Sequence, residues 1–137
     1  MEKREKIIYL WFLMWLKRED LGIEDIFTNN VIYIESWGPK YKDCKSVKKW
    51  FNEWNMKGEV ILWDILQFFH KGDQTVVEWK FKCVYDNVVS EFDGMSLIYW
   101  TEDNKIKFLK EFGCKSKNWK INQINNDVIF YDKIYKS

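Results

Sequence analysis

The chain carries one histidine, one proline and no concentration of glycine or serine. The lone His70 sits beside a Lys-Gly turn without a second histidine or a clustered Cys/Asp set, so no metal-ligand spacing and no Ser-His-acid or Cys-His arrangement can be written. His70 reads as a turn residue. A Gly-rich phosphate loop is missing as well. Cys44, Cys83 and Cys114 lie far apart, are odd in number and contain no C-x-x-C pair, which is a poor disulfide framework and points to reduced thiols in a cytoplasmic protein. Net charge is also lacking. The 22 basic and 21 acidic residues are interspersed, which gives no footprint for nucleic acid or for an anionic membrane surface. The apolar run Ile7–Leu16 has about half of the roughly 20 residues that a membrane-spanning helix needs. The mixed charges of residues 1 to 6, with no small-residue cleavage site after the run, do not resemble a signal peptide. No membrane partner and no cofactor are expected.

What is abundant is aromatic: 19% of the residues, nine of them tryptophan. At 137 residues, with no linker-like stretch, the chain reads as one domain, with a core over about 3–113 and a C-terminal tail over 114–137. Residues 3 to 18 lack Gly and Pro and place Ile7, Leu10, Trp11, Met14 and Trp15 at helical spacing, with Ile8, Phe12 and Leu13 making the helix apolar on nearly every side. A short helical piece over 23–27 and a turn at Thr28-Asn29-Asn30 precede a strand, Val31 to Glu35. Asp43 is placed to cap a third helix that Gly58 ends. Strands then follow over 60–69, 75–85, 92–101 and 105–112, with turns near 71–74, 86–87 and 102–104. Helices first and a strand meander afterwards is an α+β arrangement.

Closing the first hairpin around residues 71 to 74 puts Trp79 across from Leu66 and Phe81 across from Asp64. Leu62, Leu66, Val77, Trp79, Phe81, Ile98 and Trp100 would then form one wall, with Asp64 and Ser96 as its polar members. Ile61, Trp63, Ile65 and Phe69 would stand on the other face beside Glu78, Lys80 and Lys82. A one-residue slip exchanges the two faces. The apolar outer strip needs a cover, either a second copy of the protein or the tail residues Trp119, Ile121 and Phe130.

The order helix, short helix, strand, helix, meander, with the strings Phe27-Thr-Asn-Asn-Val31, Pro39-Lys-Tyr-Lys-Asp43, "VVEWKFKC" (76–83), "FDGMSLIYW" (92–100) and "NKIKFLKEF" (104–112), resembles the nuclear-transport-factor-2-like superfamily, specifically its bacterial SnoaL-like branch. The resemblance implies a cone-shaped cystatin-like fold, a bent antiparallel sheet around helices, an enclosed cavity and commonly a homodimer. The superfamily includes ketosteroid isomerase, polyketide cyclases, dehydratases and non-catalytic binding domains, so fold alone does not decide activity. Carried over residue by residue, the isomerase's acidic base falls on Glu35. Its tyrosine falls on Trp11, or on Tyr9 with a slipped register, and its protonated aspartic acid falls near Ser96. One of three elements is retained, which favours a binding role over that reaction.

The candidate acids are Glu35, at a strand end between Tyr33 and Trp37, Asp64 in an apolar strand, and Glu111 beside Leu109. Desolvation would raise such a carboxyl toward the range of a working base. Glu35 and Asp64 are the candidate catalytic residues. Trp11, Trp37, Trp54, Trp79, Phe81, Ser96, Trp100 and Glu111 are the candidate lining of a pocket for a small apolar or aromatic ligand. The two readings are a small-molecule binding protein and an isomerase, cyclase or dehydratase using Glu35 or Asp64 as base.

Overall fold

A computed structural model describes residues 2–115. Helix α1 (Lys3–Lys17) ends where Arg18 turns left-handed (φ 57), with the Glu19 N–H donating to the Met14 carbonyl at 3.0 Å. The Asp20 carboxylate then accepts from the N–H groups of Gly22 and Ile23, both at 2.9 Å, and starts the single turn α2 (Ile23–Ile26). Strand β1 (Phe27–Ile34), the two-residue β2 (Lys40–Tyr41) and helix α3 (Cys44–Lys57) follow. Asp43 caps α3 as its sequence position suggests, accepting from the Ser46 N–H at 2.7 Å. Four long strands complete the described chain: β3 (Gly58–Lys71), β4 (Gln74–Tyr85), β5 (Val88–Trp100) and β6 (Ile106–Cys114). Among the described residues no helix is long and apolar enough to cross a membrane.

The strands form one sheet in the order β2-β1-β6-β5-β4-β3. It is mixed rather than wholly antiparallel, because β1 runs parallel to β6, with Tyr33 opposite Leu109. Thr28, Asn29 and Asn30 belong to β1 and not to a free turn. They occupy the stretch where its register against β6 shifts, between Phe27 and Ile32, so their turn-forming character appears as an irregularity inside a strand.

The first hairpin shows why one face of β3 differs from its sequence expectation. From the Lys71/Gln74 turn back to Gln67 opposite Glu78, the pairing is the expected one. The register then shifts between Ile65 and Gln67, leaving Leu66 as an extra residue, so Trp79 faces Ile65 and Phe81 faces Trp63. That bulge turns over residues 62 to 65, and a second register shift between Val60 and Leu62 reverses the facing again toward the start of the strand. Trp63 therefore points inward and stacks on Phe12 of α1 at 3.9 Å between ring centroids. Asp64 goes to the exposed outer face, opposite Lys80, and Leu66 is half exposed. The β4 and β5 registers need no such correction: Val77 faces Ser96 and Thr75 faces Ile98, all four buried.

The core lies between α1, α3 and the concave face of the sheet. Ile8, Trp11, Met14, Phe27, Tyr33, Val77, Trp79, Ile98 and Leu109 are all essentially inaccessible. Gly94 serves this packing directly, since a Cβ there would meet the Trp79 ring at 2.5 Å and the Phe112 carbonyl oxygen at 2.6 Å. The tail residues Trp119, Ile121 and Phe130, named above as a rival cover for the outer face, lie outside the described residues.

Candidate functional site

Toward one end of the sheet the concave face is left unfilled, and a cavity of about 350 Å³ opens there. The β1–β2 connection sets its mouth. The Gly38 N–H donates to the Glu35 carbonyl at 2.9 Å and the Glu35 N–H donates to the Pro39 carbonyl at 3.0 Å, closing a tight loop. Trp37 at the loop's tip is left-handed (φ 63) and 65% exposed, with its ring laid edge-on against Phe92 of β5 at 5.2 Å. Gly113 of β6 makes room for this: a Cβ at that position would sit 2.9 Å from both the Trp37 ring and Ser36 Oγ.

The walls are a run of rings in mutual contact. Trp50 of α3 meets Trp15 of α1 at 4.8 Å, and Trp15 meets Trp63 at 6.4 Å. From there Trp63 meets Phe81 at 5.2 Å and Phe81 meets Phe92 at 4.9 Å. Trp54 and Tyr85, 5.4 Å apart, extend the wall on one side, and Cys83 and Ser90 complete it. The buried indole N–H groups of Trp15 and Trp63 have no hydrogen-bond partner, and neither has Ser36 Oγ.

Two carboxyl groups face into this aromatic enclosure, Glu35 from the end of β1 and Glu111 from β6. Each is held by a tyrosine. The Tyr41 hydroxyl donates to Glu35 Oε2 at 2.7 Å, and the Tyr41 ring lies flat on Trp50 at 4.8 Å. The Tyr33 hydroxyl donates to Glu111 Oε2 at 2.7 Å while accepting from the Trp11 indole N–H at 3.1 Å. Burial pushes the Glu35 carboxyl up to about 7, against the lowering effect of the Tyr41 hydroxyl. Burial also raises Glu111 to about 7; the Tyr33 bond offsets part of this and the neighbouring Glu35 charge adds to it. Burial, then the adjacent carboxylates, hold both tyrosine hydroxyls above their ordinary range, so they remain donors. The arrangement can take up and release a proton near neutrality against a desolvated ligand.

Of the residues singled out from the sequence, Glu35, Trp37, Trp54, Trp79, Phe81 and Glu111 line this cavity. Trp11, Ser96 and Trp100 do not. Trp11 is spent on Tyr33, Ser96 Oγ accepts from the Trp79 indole at 2.9 Å, and the Trp100 indole donates to Thr75 Oγ1 at 2.9 Å. Asp64 is on the far face of the sheet for the reason given by the Leu66 bulge. His70 is not a free turn residue: Nδ1 lies 2.9 Å from Thr75 Oγ1 and Nε2 lies 2.8 Å from Glu5 Oε2. Tyr33 and Tyr41 were missed by sequence reasoning. Tyr33 sits two residues before Glu35, the offset that puts both side chains on one face of a strand, and that signal was available. Tyr41 depends on a two-residue strand that leaves almost no periodic trace.

No family sequence model matches the chain, and no curated protein matches it. Solved structures do. A protein described as a SnoaL-like polyketide cyclase from Mesorhizobium loti superposes with a TM-score of 0.64 at 15% identity, over 81% of this chain and 99% of that one. An epoxide hydrolase of M. tuberculosis described as LEH-like gives 0.71 at 6% identity, over 81% and 82% of the two chains. A protein with a ketosteroid isomerase-like fold from Catenulispora acidiphila, in complex with trimethylamine, gives 0.66 at 15% identity, over 77% and 83%. The chain has the α+β cystatin-like fold shared by SnoaL-like, nuclear-transport-factor-2-like and ketosteroid isomerase-like proteins.

Proposed function

We propose that this protein binds a small organic molecule in the aromatic cavity and presents Glu35 and Glu111 to it. The observation that carries the reading is the pairing of a half-open, ring-lined space with two carboxyl groups whose outer contacts are already supplied by tyrosines. A cavity of about 350 Å³ lies in the size class of small-molecule sites and is too confined for a macromolecule. The trimethylamine complex of the Catenulispora neighbour shows that a protein of this fold can be solved with a small ligand. Titration with neutral one- and two-ring probes, followed by tryptophan fluorescence, tests the proposal. Saturable quenching that Trp15→Ala and Trp50→Ala both abolish is the expected outcome. Strictly linear quenching in the unaltered protein would overturn it.

A catalytic reading is favoured by one specific observation, a Glu35 carboxyl poised at about 7. In that reading Glu35 is the general base of an isomerase, cyclase or dehydratase step, with Glu111 as the second acid in place of the Asp64 of the sequence analysis. Glu35→Gln would then lower turnover by about 10²–10⁴. Asp64→Asn would leave it unchanged.

The wider reading is of a single-domain cytoplasmic protein that forms a homodimer through the convex face of the sheet. Leu66, Phe69, Met95 and Phe112 are 40–53% exposed there, around a shallow groove that also includes Val76 and Leu97. This support differs from the Trp63 and Ile65 strip first expected, since Trp63 is buried inside. Light scattering at micromolar concentration should give a dimer mass that Phe112→Glu reduces to a monomer. A monomeric mass for the unaltered chain would end the assembly proposal and leave the pocket untouched.

A further inference from the structure

We infer that the ligand is an organic cation, a tertiary or quaternary ammonium group on a short carbon frame. The inference rests on the reading that the cavity binds a small molecule and adds the chemical class. The ring contacts do more than form a wall, because they close into a belt. Starting at Trp50 they run through Trp15, Trp63, Phe81 and Phe92 to Trp37. The gap between Trp37 and Trp50 is bridged by Glu35, two residues from the one and held by the tyrosine stacked on the other. A belt of aromatic rings closed by carboxyl groups is an environment suited to a weakly hydrated ammonium.

Charge balance points the same way. The titratable groups lining the cavity are Glu35, Glu111, Cys83, Tyr85 and Lys115, and Lys115 is the one cation among these described residues. An anionic ligand would meet two carboxyl groups, whereas a cation favours their ionised forms and offsets the desolvation that opposes them. At the mouth the Lys115 ammonium sits 5.7 Å from the Trp37 ring centroid, a cation–π contact at one end of the belt. The indole N–H groups of Trp15 and Trp63 are buried without a partner, so these two rings take part in the cavity through their carbon surfaces.

The test is calorimetric titration at pH 8 with choline and with 3,3-dimethylbutan-1-ol, its neutral isostere of the same shape. Choline should bind at least about tenfold more tightly, the order expected for a desolvated cation–π site. Glu35→Gln combined with Glu111→Gln should bring the ratio of choline affinity to alcohol affinity down toward one. Lys115→Gln, at the exposed mouth where folding is not at stake, should strengthen choline severalfold relative to the alcohol. Equal affinities for the two compounds, or a Lys115→Gln effect on both alike, would overturn the cation assignment with the binding proposal intact. Saturation by neither compound would overturn the cation assignment, and the neutral ring probes would then decide separately whether the cavity binds anything.

Discussion

The tryptophans of this protein fall into two groups that differ in what their indole N–H groups do. Trp11, Trp79 and Trp100 are buried and bonded, to the Tyr33 hydroxyl, Ser96 Oγ and Thr75 Oγ1 respectively. Trp15 and Trp63 are almost as deeply buried, yet their N–H groups have no partner. An orphaned buried donor costs about 1–3 kcal/mol. Of these five rings, Trp11 and Trp100 lie outside the cavity and Trp15, Trp63 and Trp79 line it, so both unmade indole bonds fall on the cavity side of the aromatic interior.

The largest effect should come from erasing a ring whose indole N–H is bonded. Trp79→Ala removes a fully buried side chain and its bond to Ser96, and should cost about 3–5 kcal/mol in urea unfolding. A loss below about 1 kcal/mol would mean the two groups of rings are not distinct in their contribution to folding.

The carboxyl pair sharpens the comparison through pH. Glu35 and Glu111 hold protons up to about 7 when folded, whereas an unfolded glutamate releases its proton near 4.5. Between these values the folded state binds the more protons, so their contribution to stability falls as pH rises through the window and is least favourable above 7. Glu35→Gln removes one buried charge. It should therefore raise stability at pH 8, by about 1–3 kcal/mol, and change little at pH 4. A destabilisation at pH 8 equal to that at pH 4 would show that the carboxyl is not desolvated.

The smallest effects make the most pointed contrast. Trp11→Phe should cost about 1 kcal/mol beyond the volume change, because it deletes a made hydrogen bond and leaves the Tyr33–Glu111 pair less well oriented. Trp15→Phe deletes an N–H that bonds to nothing, and should cost less than Trp11→Phe while weakening ligand binding more. The reverse ranking in thermal unfolding and titration would dissolve the distinction between the groups.

How far the sequence could lead is seen in particular residues. The apolar surround of α1, the Asp43 cap and the hairpin turn at residues 71 to 74 are local, and each was readable from spacing and turn chemistry. Glu35 and Glu111 were legible as cavity candidates from strand ends and strand parity. Asp64 and Trp63 lie on faces opposite to those the spacing predicts, because a bulge at Leu66 leaves no mark in an apolar strand and one extra residue reverses the stretch up to the next register shift. Trp11, Ser96 and Trp100 were assigned to the pocket because an aromatic or hydroxyl side chain looks the same in sequence whether its partner is a ligand or a neighbour. Only the three-dimensional pairing of Trp11 with Tyr33, and of Trp100 with Thr75, tells them apart.

The most direct measurement is a proton–nitrogen spectrum of the nine tryptophan indoles, recorded while choline and then 3,3-dimethylbutan-1-ol is added. Each indole N–H gives one signal. The account expects the Trp15 and Trp63 signals to move in a saturable way with at least one of the two compounds, because both rings line the cavity, while those of Trp11 and Trp100, which do not, stay where they are. Movement at Trp11 and Trp100 with Trp15 and Trp63 unmoved would contradict it.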